Sequence, residues 1–156
     1  MKKGIFKIFI IGSLLLVPLG GFALDRFYEG HNASGTAVYC FEGGRLYRGH
    51  NASGTAVFCT EKGRIFKGHN ASGTALYCFE RGRLYRGHNA SGTALYCYEN
   101  GRIYQGHNAS GTALYKIENG RVYRGHNASG TAIANFGSMD EIPLAMVVFI
   151  VTRLIP

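Results

Sequence analysis

Three kinds of side chain recur in this sequence at a spacing that could do chemistry. His31, His50, His69, His88, His107 and His126 stand 19 residues apart. Arg48, Lys67, Arg86 and Arg124 precede four of them by two residues, with Gln105 at the fifth such place. Cys40, Cys59, Cys78 and Cys97 follow the same period, and Lys116 replaces the next cysteine. Imidazoles beside guanidinium groups suit an anion, while imidazoles or thiolates alone suit a metal ion. Thiols in an exported chain also suggest disulfides. A plainer reading is that each histidine braces its own turn. Asn-Ala-Ser follows every histidine and matches the N-glycosylation acceptor pattern, although turn formation alone accounts for it.

The elements that must position these residues form a repeat. Gly-His-Asn-Ala-Ser-Gly-Thr-Ala begins at Gly30, Gly49, Gly68, Gly87, Gly106 and Gly125. The segments between, such as Leu95 to Gln105, are rich in aromatic and β-branched residues without helical period, so they read as strands. Asn100-Gly101 and Asn119-Gly120 are type I′ hairpin signals, and Gly43-Gly44, Lys62-Gly63 and Arg81-Gly82 keep the glycine. A two-residue turn there puts Glu42, Glu61, Glu80, Glu99 and Glu118 opposite Arg45, Arg64, Arg83, Arg102 and Arg121, a pairing that helps set register. Asn-Ala-Ser-Gly reads as a type I turn. About twelve short strands between Arg26 and Phe136 must hide their edges, and closure into a barrel does so. Leu95, Cys97, Glu99, Arg102 and Tyr104 share one face; Tyr96, Tyr98, Ile103 and Gln105 share the other. Both are half apolar, so the pattern leaves the interior face open.

Closure constrains the chemistry. Equivalent positions would lie two strand spacings apart, ~9–10 Å, too wide for several histidines to share an ion at ~2.0–2.1 Å. It is also too wide for the ~4.4–6.8 Å between Cα atoms that a disulfide needs. No metal site, cofactor or disulfide is therefore expected, and the cysteines read as packed thiols. The turn block is identical in six copies while the strands vary. Whatever constrains it acts on one rim, where the histidines and Arg48, Lys67, Arg86 and Arg124 would collect as a ligand-binding set.

Residues 1–23 read as a signal peptide: Lys2, Lys3 and Lys7, an apolar run from Ile8 to Leu19, and small residues at Gly21 and Ala23 before a cleavage point. Residues 24–137 hold the six repeats and 138–156 an apolar C-terminal segment. In that segment Ser138, Asp140, Glu141 and Pro143 look like a helix start and Arg153 like a helix end. Its ~13 residues are too short to span a bilayer as a helix; a buried helix is expected, with a strand or membrane contact as alternatives. Beyond residue 23 lie 14 of the 17 Lys and Arg residues and all 9 acids, a net +5. Dispersed basic residues on an exported chain argue against nucleic acid. No nucleophile–base set or carboxylate pair stands out, which indicates a non-enzymatic protein.

The repeats resemble the β-flower proteins in length and style, with Gly-Arg-Leu-Tyr or Gly-Arg-Ile-Tyr in one strand and Leu-Tyr-Cys-Phe in the other. That resemblance, over about Asp25 to Phe136, implies a shallow radial barrel of hairpin petals. Twelve strands with an apolar C-terminal segment also look like the Tubby C-terminal and scramblase-type barrels, in which a helix fills the barrel and the protein acts at membranes. The expected fold is thus an all-β, closed antiparallel meander barrel of six β-hairpins with an apolar C-terminal helix in or against it. The expected function is association with anionic lipid in the periplasm or cell envelope through a basic rim. A glycan or cell-wall module using repeated tyrosines, and a scaffold without a small ligand, are the alternatives.

Overall fold

The computed structural model describes residues 24–155, so the leader read over residues 1–23 lies outside it. The first strand is β1 (Asp25–Glu29). Five hairpins follow: β2 (Tyr39–Glu42) with β3 (Arg45–Arg48), β4 (Phe58–Glu61) with β5 (Arg64–Lys67), and β6 (Tyr77–Glu80) with β7 (Arg83–Arg86). Then come β8 (Tyr96–Glu99) with β9 (Arg102–Gln105), β10 (Tyr115–Glu118) with β11 (Arg121–Arg124), and the short β12 (Ala134–Asn135). All neighbours pair antiparallel, and β1 pairs with both β2 and β12, which closes the barrel. The sixth petal is therefore split between the two ends of the repeat region. Closure leaves no free edge in the twelve-strand sheet.

The tight turns are type I′. Lys62, Arg81, Asn100 and Asn119 have φ of 49–50° and each is followed by a glycine with φ of 74–75°. The register places Glu opposite Arg in all five hairpins. The arginines, however, turn to a different partner, described below. The Asn-Ala-Ser-Gly turn departs from type I. The N–H groups of Ser53, Ser72, Ser91 and Ser110 donate to the asparagine carbonyl two residues earlier at 2.9 Å, which is a γ-turn bond.

Each petal is locked to the next by its tip. The Phe79 N–H donates to the Gly63 carbonyl and the Tyr98 N–H to the Gly82 carbonyl, both at 2.7 Å. The approach is so close that a Cβ on Gly82 would lie 2.8 Å from the Tyr98 carbonyl oxygen. Glycine is thus required there for contact as well as for φ.

The register also sets the size of the barrel. Leu46 stands opposite Phe58, and Phe58 opposite Lys67, two residues beyond Ile65, the counterpart of Leu46. A slip of two residues per hairpin makes shear equal to strand number, the condition that gives a tilt of about 36° in the (β/α)8 barrel. For twelve strands this implies a backbone radius of about 11 Å, room for one helix plus a layer of side chains.

That helix is the C-terminal segment. α1 (Leu144–Phe149) continues into a π-helical turn (Ile150–Leu154), and every residue from Met146 to Val151 is buried. Around it close Phe27, Leu46, Ile65, Leu84, Ile103 and Val122, with Phe41, Phe79, Tyr98, Ile117 and Phe136 from the partner strands. The Phe149 ring packs edge-on against Phe58 at 4.8 Å and tilted against Tyr77 at 5.3 Å. Among the described residues, no helix is long and apolar enough to cross a membrane.

The helix start differs from the sequence expectation. Pro143 precedes α1 without a side-chain cap. Ser138 instead donates its hydroxyl to Asp140 locally, and the chain entering the barrel is held by Asp25.

The interior face left open by the pattern is now assigned. Tyr96, Tyr98 and Ile103 belong to the central core, whereas Cys97 and Tyr104 form an outer cluster beneath Ala113 of the turn block. Cys40–Tyr47–Ala56 and Cys59–Phe66–Ala75 repeat it. This explains the irregular copy at Lys116. Lys116 stands on the outer face, where its amine reaches the Asn100 carbonyl at 3.4 Å.

Candidate functional site

The turn blocks lie at one end of the barrel, the mouth, and the tight turns at the other. A sixfold β-bulge shapes the mouth. Tyr77 stands opposite Ile65, yet the Leu76 N–H donates to the Ile65 carbonyl, so two residues oppose one. Val38, Val57, Leu95, Leu114 and Ile133 make the same bond to Phe27, Leu46, Leu84, Ile103 and Val122. The result is an aliphatic ring one residue above the aromatic ring of Tyr39, Phe58, Tyr77, Tyr96 and Tyr115. Val38, Val57 and Ile133 pack against the central core, while Leu76 (40% exposed) and Leu114 (38%) face solvent.

The basic residues expected on a rim join this ring. Arg48 stands opposite Tyr39, Lys67 opposite Phe58, Arg86 opposite Tyr77 and Arg124 opposite Tyr115, all four exposed. Gln105 faces Tyr96, and Glu29 faces Ala134 in the split petal. Arg153, at the end of the central helix, adds a cation that the sequence reading had treated only as helix-end chemistry. Its guanidinium lies 5.7 Å from the Tyr77 ring centre. A hydrogen bond with the Tyr96 hydroxyl and the neighbouring Tyr77 raise its pKa above the ordinary arginine value. Five cations and one acid therefore sit at the mouth, and this accounts for most of the +5 borne beyond residue 23.

The histidines lie elsewhere, in the seams between petals. Nδ1 of His50, His88 and His31 accepts the backbone N–H of Ala37, Ala75 and Ala132 at 3.2–3.3 Å, tying each loop to the one before it. An accepting Nδ1 requires the ring hydrogen on Nε2. The rings of His50, His69, His88, His107 and His126 meet the edges of Tyr28, Tyr47, Phe66, Tyr85 and Tyr104 at 6.2–6.4 Å.

Each histidine carbonyl also accepts from an arginine Nε of the preceding petal. Arg26, Arg45, Arg64, Arg83 and Arg102 reach His50, His69, His88, His107 and His126 at 2.8–3.0 Å, and Arg121 closes the ring on His31 at 3.1 Å. All of them but Arg26 are the arginines expected to pair with glutamates. A charged donor gains more from a carbonyl than from an exposed carboxylate already solvated by water. Asn135, in the cysteine place of the split petal, adds a 2.9 Å bond to the His31 carbonyl.

The structure thus separates the expected rim set. Arg48, Lys67, Arg86 and Arg124 gather at the mouth, while His31, His50, His69, His88, His107 and His126 brace seams. Asn, Ser and Thr of the block are exposed in all six copies, a polar collar around the mouth. The four cysteines are unpaired thiols, and burial, opposed by a neighbouring arginine, raises their pKa. No cluster of three or more His, Cys, Asp or Glu side chains able to hold a metal occurs among the described residues. Sequence reasoning missed the aliphatic ring. Its signal was the invariable Val, Leu or Ile after the Ala that ends each block.

No curated protein and no solved structure matches this chain significantly. A family model described as 6-fold beta flower protein does match, over residues 27–147. That span runs from the first strand into the central helix, and with the six petals around one axis it means that the chain belongs to the 6-fold beta flower protein family.

Proposed function

We propose that this protein is an exported, non-enzymatic domain of the cell envelope whose mouth docks on anionic lipid. The observation that carries the reading is the coincidence of exposed Leu76 and Leu114 with Arg86 and Arg124. Leu76 and Leu114 accept the backbone N–H groups of Gly87 and Gly125, the residues next to those arginines. Aliphatic side chains beside cations suit the boundary between acyl chains and anionic headgroups. Each basic residue near such a surface contributes about 1 kcal/mol, close to a fivefold change in affinity.

Co-sedimentation with phosphatidylglycerol vesicles, against phosphatidylcholine vesicles, tests this. Binding should need the anionic lipid, weaken with salt, and fall about fivefold for each of Arg48→Gln, Arg86→Gln and Arg124→Gln. Equal binding to both vesicle types, or none at low salt, would sink the reading.

The exposed Asn, Ser and Thr collar favours a second reading, a glycan ligand held by hydrogen bonds. Retention on a peptidoglycan or polysaccharide resin at about 0.5 M salt, where charge is heavily screened, would mark that alternative.

A further inference from the structure

Asp25 is 3% exposed and is one of two buried polar side chains among the described residues. Its Oδ2 accepts the N–H groups of Glu141 at 2.9 Å and Ile142 at 2.8 Å, which holds the segment that enters the barrel before α1. Its Oδ1 is buried and has no hydrogen-bond partner. An ionised carboxylate oxygen in that state is costly. Arg26, the nearest cation along the chain, sends its Nε to the His50 carbonyl instead.

The position is informative. Arg26 is the counterpart of Arg45, so Asp25 occupies the place of the tip glycines Gly44, Gly63, Gly82, Gly101 and Gly120. A carboxylate stands there only in the split petal, where no tight turn joins β12 to β1. Leu24 packs against the outer Cys40–Tyr47–Ala56 cluster. The covalent chain holds its nitrogen within about 5 Å of the Asp25 Cα.

From these observations we infer that Asp25 is the receptor for the α-ammonium group created when the leader is cut between Ala23 and Leu24. A leader peptidase adds water across that peptide bond. The carboxylate departs with Ala23, and the Leu24 nitrogen becomes an ammonium with three donors. Before cleavage this nitrogen is a neutral amide with one. Cleavage therefore supplies a charged partner for Oδ1 at the point where Oδ2 fastens the central helix, so processing tightens the plug. The inference rests on the export part of the proposed function and is independent of lipid docking.

Intact mass and N-terminal sequencing of the exported protein should give Leu24 as the first residue. Two chains starting at Leu24, one with a free amine and one Nα-acetylated by ligation-based semisynthesis, are then compared by hydrogen exchange. At pH 6.5 the Glu141 and Ile142 amides should exchange about ten- to a hundredfold more slowly with the free amine. Pairing raises the pKa of the amine in the folded state. The advantage is therefore complete below the unfolded value of ~7.7–8.0 and is lost as pH rises through the folded one. Arg26, Tyr39, Cys40 and Glu141 are the other titratable groups around Asp25, and they are common to both chains. Asp25→Asn should abolish the difference at every pH; if that variant fails to fold, the free and acetylated pair decides alone. Equal exchange at pH 6.5, a difference that survives Asp25→Asn, or a first residue other than Leu24 overturns the inference. Vesicle binding measured on the same samples reports separately on the docking surface.

Discussion

Replacing Gly82 by alanine tests whether the petals are held together at their tips. Gly82 has φ +75°, and a Cβ there would lie 2.8 Å from the Tyr98 carbonyl oxygen, a backbone atom that cannot swing aside. Two costs follow. Left-handed backbone costs a residue with a Cβ about 1–2 kcal/mol. Moving the Tyr98 carbonyl away strains the 2.7 Å bond from the Tyr98 N–H to the Gly82 carbonyl, and losing such a bond costs about 0.5–1.5 kcal/mol.

Gly92→Ala supplies the control, because Gly92 has φ +74° and nothing within 4 Å of the added Cβ. It should carry the first cost alone. Gly44→Ala, with its Cβ 3.3 Å from the Thr60 carbonyl oxygen, should fall between them. Urea unfolding followed by circular dichroism should therefore rank the losses as Gly82→Ala, Gly44→Ala, Gly92→Ala. The outer two should differ by the second cost alone, about 0.5–1.5 kcal/mol, which on heating is roughly 2–6 °C in thermal midpoint. If Gly82→Ala proves no worse than Gly92→Ala, tip-to-strand contact does not hold the petals and the account of the seam is wrong.

Other outcomes are equally specific. His88→Ala should cost about 1–2 kcal/mol through loss of the Ala75 N–H bond and the Phe66 edge contact, while vesicle binding by the folded variant stays unchanged. Phe149→Ala removes a ring buried between Phe58 and Tyr77 and should cost about 3–5 kcal/mol by thermal unfolding. Arg81→Asn should stabilise the β6–β7 turn by about 0.5–1 kcal/mol, since asparagine tolerates positive φ better than arginine; a fall in midpoint would count against the turn assignment. Burial raises the thiol pKa of Cys40, Cys59, Cys78 and Cys97, so the folded state keeps protons that the unfolded state releases. Their contribution is complete below the unfolded thiol pKa of about 8.5 and is lost above it. Midpoints against pH should thus drop more steeply beyond pH 9 for the native chain than for its fourfold Cys→Ala variant.

Much of the architecture was legible because its determinants are local. Asn100-Gly101 and its counterparts specify type I′ turns through two positive φ angles, and a strict 19-residue period then dictates identical hairpins that can only pack against one another. The apolar stretch after Pro143 announced a buried helix because no polar face interrupts it.

What stayed hidden depended on long-range contact. Alternation of apolar residues could not say which face is inside, since the bulge at Leu76–Tyr77 breaks the two-residue parity. The aliphatic ring, with Leu76 and Leu114 exposed, therefore did not register as a surface. The partner of each arginine lies 24 residues away, or 90 for Arg121 and His31, so opposition to glutamate looked sufficient. The histidines read either as rim ligands or as braces of their own turns; the bond that explains them reaches the neighbouring loop.

By itself, then, the sequence determined the repeat, its tight turns and the need to close, all of which follow from backbone geometry within about twenty residues. Only the tertiary structure decided where the side chains point, which cations gather at the mouth and which imidazoles hold the seams. Those depend on the two-residue slip per hairpin and on the central helix, and both exist only once the ring has closed.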